Sequence, residues 1–503
     1  MLRRSLLAAP CLVLPARAQP SARVALLHLN DFHSRHEAIT AAAAICRPGG
    51  DCRGGSARMA AAIRAARDAA RAEGRAPLLL DGGDEFLGSL FFTHHDGLAE
   101  AGMQRLWGVG AMTLGNHEFD LGPAGLARYL EAVDFPVLAA NVEAAAEPLL
   151  AGKLRPTASF RSGAARLVVA GLVTPDTPTL SSPGPQLRFT DPAEAASRAV
   201  WEARREGPAT VVALSHLGAA ADRRLAREVP GLDVILGGHS HTLIAPPEVV
   251  AGPDRPVLVA QAGAFGRWLG RLDLDLDDAG RVTAHAGGTR ELTPDLPEDA
   301  EAAALVAELA APLEAIRRRP AFDLPAALPA DGCGRAPCAL GEAVAEAMRR
   351  AMRAEIGWQN AGGLRAGLPA GAVGWGDVLT TLPFSNTAVR ITLRGGTLRE
   401  ALEHALARRG GGFPQLAALR YAADGVRLLR AEVRDAAGDW HPLEPERAYT
   451  VATNNFLRRG GDGYAMFAEP LEALEDGPPV EDALVRLLSG AAGSPWRPSP
   501  PPG

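Results

Sequence analysis

Five short apolar runs in the first half of this chain each stop at side chains that can bind a metal. Residues 24–30 lead into Asp31 and His33, 78–80 into Asp84, and 109–114 into Asn116 and His117. Residues 211–214 lead into His216, and 234–236 into His239 and His241. Short apolar runs bounded by turn residues read as buried strands. Taken singly, Asp-x-His at a strand end is an ordinary hydrogen-bonded pair, Gly82-Gly83-Asp84 an ordinary turn and Asn-His a common loop. Five such ends together are not coincidence. They predict an α/β architecture whose strand ends converge on one metal centre.

A chain of 503 residues exceeds one ordinary domain, so two domains with extensions are expected. Helical stretches at 56–73 and 122–133 alternate with the strand-like runs between about 23 and 288, as in βαβ units. Residues 258–261 and 269–276 read as closing strands near the domain edge. An Ala/Leu/Glu-rich segment at 298–319 reads as a connecting helix, punctuated by the prolines of 320–329. A second domain follows, to about 491, with helical stretches at 340–355 and 397–408 and strands at 390–394 and 449–453.

The net charge is −6 and Lys and Arg are scattered. A polymeric nucleic acid partner would call for basic residues gathered on one face and is disfavoured; a small anionic substrate stays compatible. Residues 1–18 read as an export signal, with Arg3-Arg4, an apolar stretch at 6–14 and Ala16-Arg17-Ala18 before Gln19. The apolar stretch is too short to span a bilayer, and no later segment reaches the ~20 apolar residues needed. The mature protein is therefore expected in the periplasm or secreted, through the general or the twin-arginine route, without a stable membrane anchor. Residues 492–503 read as a disordered, proline-rich tail. Cys11 leaves with the signal. The remaining pairs, Cys46/Cys52 and Cys333/Cys338, are expected as local disulfides; a four-cysteine zinc site would need C-x2-C-like spacing.

Asp31, His33, Asp84, Asn116, His216, His239 and His241 form a nitrogen/oxygen set larger than one four-coordinate ion uses. It suits two divalent ions side by side, with Asp84 bridging them. Zinc, manganese and cobalt are all compatible, and cysteine is missing from the set, which disfavours soft-metal chemistry. Arg35 and His36, beside the metal loop, read as solvated loop residues.

Leu29-Asn30-Asp31-Phe32-His33, Gly82-Gly83-Asp84, Gly115-Asn116-His117-Glu118-Phe119-Asp120, Ser215-His216 and Gly237-Gly238-His239-Ser240-His241 resemble the five motifs of calcineurin-like metallophosphoesterases. Residues 23–470 are similar to the two-domain 5′-nucleotidases. Both cysteine pairs, Ser181-Ser182-Pro183-Gly184 and Ala264-Phe265-Gly266 look like the animal ecto-enzyme branch. The resemblance implies a four-layer α/β/β/α sandwich at 19–290, a linker helix and hinge at 291–325, and a second α/β substrate-binding domain at 326–491. It implies that Asp31, His33, Asp84 and His241 hold one ion, and Asp84, Asn116, His216 and His239 the other. His117 and Asp120 would form the catalytic dyad, Asp120 offsetting the field of two dications on the imidazole.

In the second domain, Asn360 and Arg365 flank a Gly362-Gly363 turn, Phe413 follows three glycines, and Phe456 and Asp462 share a Gly-rich loop. Pattern alone leaves both rings as core or as a clamp for a planar base. The resemblance implies that Asn360, Arg365, Phe413, Phe456 and Asp462 bind the nucleoside, with the base between two rings. One departure stands out: the family's arginine after the first cysteine of the second pair is Gly334 here, with Arg335 one place on.

The expectation is a dinuclear-metal 5′-nucleotidase that releases phosphate from nucleoside 5′-monophosphates such as AMP by attack of a metal-bridged hydroxide. Alternatives on the same scaffold are a 2′,3′-cyclic-nucleotide phosphodiesterase, a nucleotide-sugar or nucleoside di- or triphosphate hydrolase, and a thiosulfohydrolase. A non-catalytic nucleotide receptor is disfavoured, since no ligand or dyad residue is missing.

Overall fold

The computed structural model describes residues 22–490, except 41–45, 47–49, 164, 385, 409 and 475–476. The export signal and the proline-rich tail read from the sequence lie outside the described residues. Two six-stranded sheets form the first part of the chain. In one, the order is Val282–Glu291, Trp268–Leu276, Ala22–Leu29, Ala76–Asp81, Ala111–Thr113 and Val137–Leu138. In the other it is Leu243–Ala251, Pro256–Ala262, Val234–Gly237, Thr210–His216, Ala165–Val173 and Thr157–Ser162.

The sheets pack face to face. Leu26, Leu80 and Ala111 of the first meet Val212, Leu214, Leu236 and Leu258 of the second. The opposite face of the first sheet, with Leu27 and Leu79, packs against helices Ser56–Ala72, Leu98–Trp107 and Gly122–Ala132 through Met59, Ile63, Trp107 and Leu126. Helices Pro192–Arg205 and Ala219–Glu228 cover the second sheet. The layering is α/β/β/α. Its central strands are buried on both faces, which is why they read as unbroken apolar runs rather than alternating ones.

The expected closing strands lie further in than the sequence implied. Trp268–Leu276 pairs with Ala22–Leu29, and Pro256–Ala262 lies between two others. The edge strands on this side of the two sheets are Val282–Glu291, which is largely exposed, and Leu243–Ala251, where Pro246 and Pro247 suit a position that need not donate to a neighbour. The connecting segment is also more broken than one helix. Ala300–Ala310 gives way to a 3-10 turn at Ala311–Leu313 and a last turn at Glu314–Arg317, because Pro312 has no N–H to continue the ladder. Pro320–Leu324 is then a strand, paired with Gly371–Gly374.

Beyond it lies a five-stranded sheet, ordered Pro414–Ala417, Ile356–Asn360, Ala448–Asn454, Ala388–Arg394 and Glu472–Leu474. Helices Ala339–Ala351 and Val480–Leu488 pack on one face through Leu340, Val344 and Leu484. Helix Gly395–Ala407 covers the other through Leu398 and Leu402 against Trp358 and Ile391. A small antiparallel sheet, Leu419–Asp424, Arg427–Arg434 and Trp440–Pro442, extends this second core. Both cysteine pairs are closed as disulfides, with Cα–Cα distances of 5.5 Å for Cys46–Cys52 and 5.2 Å for Cys333–Cys338. Among the described residues no helix is long and apolar enough to cross a membrane.

Candidate metal centre and substrate cleft

Ala22–Leu29, Ala76–Asp81 and Ala111–Thr113 run parallel, as do Thr210–His216 and Val234–Gly237. Their carboxyl ends therefore open on common edges, where ligands of α/β sheets bind. Asp31, His33, Asp84, Asn116 and His117 come from the first sheet; His216, His239 and His241 come from the second. Five of these residues hold left-handed backbone: Asp31, His33, Asp84, His239 and His241, at φ 51°, 53°, 57°, 74° and 53°. Such conformations cost a non-glycine residue about 1–3 kcal/mol each. Asp31 N donates to Gly83 O at 2.8 Å, His33 N to Asp84 O at 3.0 Å, and His239 N to Asp31 Oδ2 at 3.0 Å, which holds the strained turns in place.

The side chains form two groups, each with its donor atoms within 4.8 Å of one another: Asp31, His33 and His241, and Asp84, His216 and His239. Asp84 lies between them, its Oδ2 3.0 Å from His216 Nε2 and 3.9 Å from His33 Nε2. His216 Nδ1 donates to Gly82 O at 2.7 Å and His33 Nδ1 to Phe86 O at 3.1 Å, so both rings present Nε2 to the centre. Buried Asn116 Oδ1 has no hydrogen-bond partner among the described residues. Burial drives His33 well below the ordinary imidazole value, with Arg365 adding to the effect, and brings His239 down to about 4. Burial also opposes a charge on His216, but the Asp84 and Asp31 carboxylates outweigh it and raise His216 to about 10, a proton that a cation would replace. Imidazole nitrogen, carboxylate and one amide oxygen in this arrangement fit divalent cations.

Glu118 is a residue the sequence reading left without a role. Its carboxylate accepts from the backbone N–H of Gly115 at 2.5 Å, Glu85 at 2.8 Å, Asp84 at 3.0 Å and Phe86 at 3.3 Å. It thereby ties the Asp84 turn to the Asn116–His117 turn, at the cost of burial that lifts its own carboxyl to about 7. Gly115 permits the same approach, since a Cβ there would collide with the Asp84 carboxylate.

His117 Nδ1 donates to Asp120 Oδ2 at 2.7 Å. Burial works against protonation of His117, but Asp120 and Asp84 together raise it. Arg365 reaches in from the second half of the chain, buried, with Nη2 3.1 Å from His33 Nε2. Arg35 is not solvated as expected but 2% exposed. Its Nη2 donates to Arg365 O at 3.3 Å, and its guanidinium lies 5.4 Å from the centre of the Phe265 ring. His36 is likewise buried, between Ser56 and Glu100 and against the rings of Phe32 and Phe91, because the loop folds onto the first half of the chain rather than into solvent.

Asn360 Nδ2 donates to Asp462 Oδ2 at 2.7 Å. Burial pushes the Asp462 carboxyl up, and Asp462 too has left-handed backbone, at φ 54°. Phe456 is partly buried and lies over Gly461, where a Cβ would meet the ring. Phe413 borders this group through its backbone, its O accepting from Ala361 N at 2.9 Å and Gly412 before it lying against Asp462. Its ring is 5% exposed and belongs to the core cluster with Ala361, Leu364 and Leu340. The phenylalanine ring beside the His117–Asp120 pair is Phe384, 6.0 Å from the His117 ring and 6.0 Å from the Arg365 guanidinium carbon. Its only sequence signal is Leu382-Pro383-Phe384, an aromatic set after a proline at the end of helix Trp375–Thr381. Gly334 packs against Gly410, and Arg335 is exposed.

The chain matches the family models of the calcineurin-like phosphoesterases over residues 24–243 and of the 5′-nucleotidase C-terminal domain over residues 320–469. It is 32% identical to the 5′-nucleotidase of Bos taurus over 95% of its own length and 90% of that protein. It is 35% identical to the trifunctional nucleotide phosphoesterase protein YfkN of Bacillus subtilis over 79% of its length, but spans only 30% of that larger protein. The crystal structure of a 5′-nucleotidase precursor from Thermus thermophilus superposes with a TM-score of 0.87 at 36% identity, covering 93% of this chain and 97% of that one. The chain thus belongs to the 5′-nucleotidase family, with a calcineurin-like metallophosphoesterase domain and a 5′-nucleotidase C-terminal domain, and is a phosphoric monoester hydrolase.

Proposed function

We propose that the protein is an exported 5′-nucleotidase that uses two divalent ions to hydrolyse nucleoside 5′-monophosphates of the AMP type to nucleoside and phosphate. The observation that carries this reading is the meeting of two donor groups about Asp84 with the His117–Asp120 pair, under Arg365 and Phe384 from the second half of the chain. Asp31, His33, Asp84 and His241 would hold one ion; Asp84, Asn116, His216 and His239 would hold the other. When bound, the ions supply a nucleophile at neutral pH and clamp the phosphoryl oxygens; zinc, manganese and cobalt all suit the donors.

His117, oriented through Nδ1 by Asp120, offers Nε2–H to the charge that builds on the phosphoryl or leaving oxygen. Arg365 can bind a phosphate oxygen pair with its planar fork. Phe384 and Phe456 would take the two faces of the base, in place of the Phe413 and Phe456 pair first expected. Asp462, held by Asn360, would accept from ribose hydroxyls. The segment 291–325 would act as the hinge between domains at 19–290 and 326–491. The two disulfides and the first 18 residues support export.

The bovine and Thermus relatives, both named 5′-nucleotidases, support the monoester reading. The aromatic pair weighs against thiosulfate-type substrates, which have nothing to stack. A phosphate-release panel tests the proposal: AMP, ADP, 2′,3′-cyclic AMP, UDP-glucose and a thiosulfate conjugate. AMP is expected to give the highest kcat/KM. A higher value for ADP, the cyclic nucleotide, the nucleotide sugar or the thiosulfate conjugate would overturn it.

A further inference from the structure

We propose that Ser181 is a positioning residue for this reaction, turning the His117–Asp120 pair into a three-member relay tied to the loop that carries Asp462. The inference rests on reading His117 and Asp120 as the dyad. Ser181 Oγ donates to Asp120 Oδ1 at 2.6 Å, while Asp120 Oδ2 accepts from His117 Nδ1 at 2.7 Å. Each carboxylate oxygen is fixed by a different neighbour. Rotation of the carboxylate would break a charge-assisted bond, so the plane of the His117 ring, and the direction of its Nε2, are set from Ser181 inward. Among the described residues no other side chain donates to Asp120.

The placement of Ser181 gives this bond a second consequence. Strand Ala165–Val173 of the second sheet leads into the one-turn helix Thr177–Leu180, and Ser181 N closes that turn on Thr177 O at 2.9 Å. His117 and Asp120 follow the first sheet. The relay therefore joins both sheets, as the metal donors do. Thr177–Leu180 also packs against the Gly461–Gly463 turn, which holds Asp462. One short segment touches the dyad at its end and the nucleoside-side loop along its length, so seating of the second half of the chain and alignment of His117 pass through the same residues.

Ser181 is partly exposed, which leaves room for residues of slightly larger size. Ser181→Thr and Ser181→Val have the same shape and differ only in the hydroxyl. Ser181→Val is expected to lose about tenfold in kcat on both AMP and an aryl phosphate, with KM changed by less than about twofold. Ser181→Ala should show the same loss without added bulk, and Ser181→Thr should recover most of it. Exposed Ser182→Ala is the control with unchanged kinetics.

The His117 Nδ1–H proton resonance, followed by NMR in histidine-labelled protein with and without metal, should shift in the valine variant and not in the threonine variant. Equal kcat for threonine and valine overturns the proposal. So does a loss confined to KM for AMP, which would make Ser181 a nucleoside contact. If wild type releases phosphate from neither substrate, the functional reading fails instead, and the resonance still decides: an identical signal in both variants removes Ser181 from the relay.

Discussion

The two halves of the site are built by different rules. In the half that carries the candidate metal donors, each of them ends or closely follows a strand: Asp31 after Ala22–Leu29, Asp84 after Ala76–Asp81, Asn116 after Ala111–Thr113, and His239 after Val234–Gly237. The strands lie in two sheets locked face to face by Leu26, Leu214 and Leu236, and most of the donors sit on left-handed backbone. In the other half, Arg365 and Phe384 sit outside helices and strands, and Phe456 and Asp462 share one short Gly-rich stretch, tied to a strand end by the Asn360–Asp462 hydrogen bond. Cations require donors at fixed distances, and paired strand ends in a packed core supply that rigidity. A base needs only two ring faces, and loops on a rigid scaffold suffice.

The largest effect is expected at Asp84. Replacing Asp84 with Ala should lower kcat/KM for AMP by at least about 1,000-fold and lower metal content, measured by steady-state kinetics and elemental analysis, since in the proposed centre Asp84 would serve both ions. Retention of both bound ions at full activity would refute the shared role. His117→Ala comes next, with a loss of about 100-fold or more in kcat and metal content unchanged. A parallel loss of metal would make His117 a ligand.

The second half is sharpened by a pair of phenylalanines. Phe384→Ala should raise KM for AMP about tenfold while leaving that for an aryl phosphate nearly unchanged, as loss of one stacking face predicts. Phe413→Ala should instead destabilise the fold by about 3–5 kcal/mol, seen in denaturant melts, without selective effect on AMP. The reverse pattern would restore the pairing first expected. The smallest effect is at Glu481, whose carboxyl burial raises to about 7. The folded state keeps this proton at pH values where the unfolded chain has lost it. Stability therefore falls as pH rises from the ordinary glutamate value, near about 4.3, through about 7. Glu481→Gln should raise Tm at pH 8 and change it little at pH 4; equal shifts at both would contradict the buried titration.

What the sequence showed and hid follows the same division. The candidate metal donors were legible as a group because each sits a few residues from an apolar run buried on both faces. Their left-handed backbone was not, because Asp and His carry no glycine-like mark of it. Glu118 lay inside a recognised motif, yet its hydrogen bonds to four backbone amides depend on two turns meeting in space. In the second half, glycine-rich flanks drew attention to Phe413, but that ring belongs to the core; Phe384 follows a lone proline and is revealed only by its place beside His117. Arg35 reads as a polar loop residue because nothing local announces that the second half folds over it. The broken linker was legible in principle, since Pro312 interrupts the helical run.

The central claim is that phosphate release depends on ions held about Asp84. The most direct test is phosphate release from AMP by metal-stripped protein before and after zinc, manganese or cobalt is restored. No release is expected from the stripped protein, with recovery once at least one of the ions is restored. Release that survives stripping, or none from AMP after any ion is restored, would contradict it.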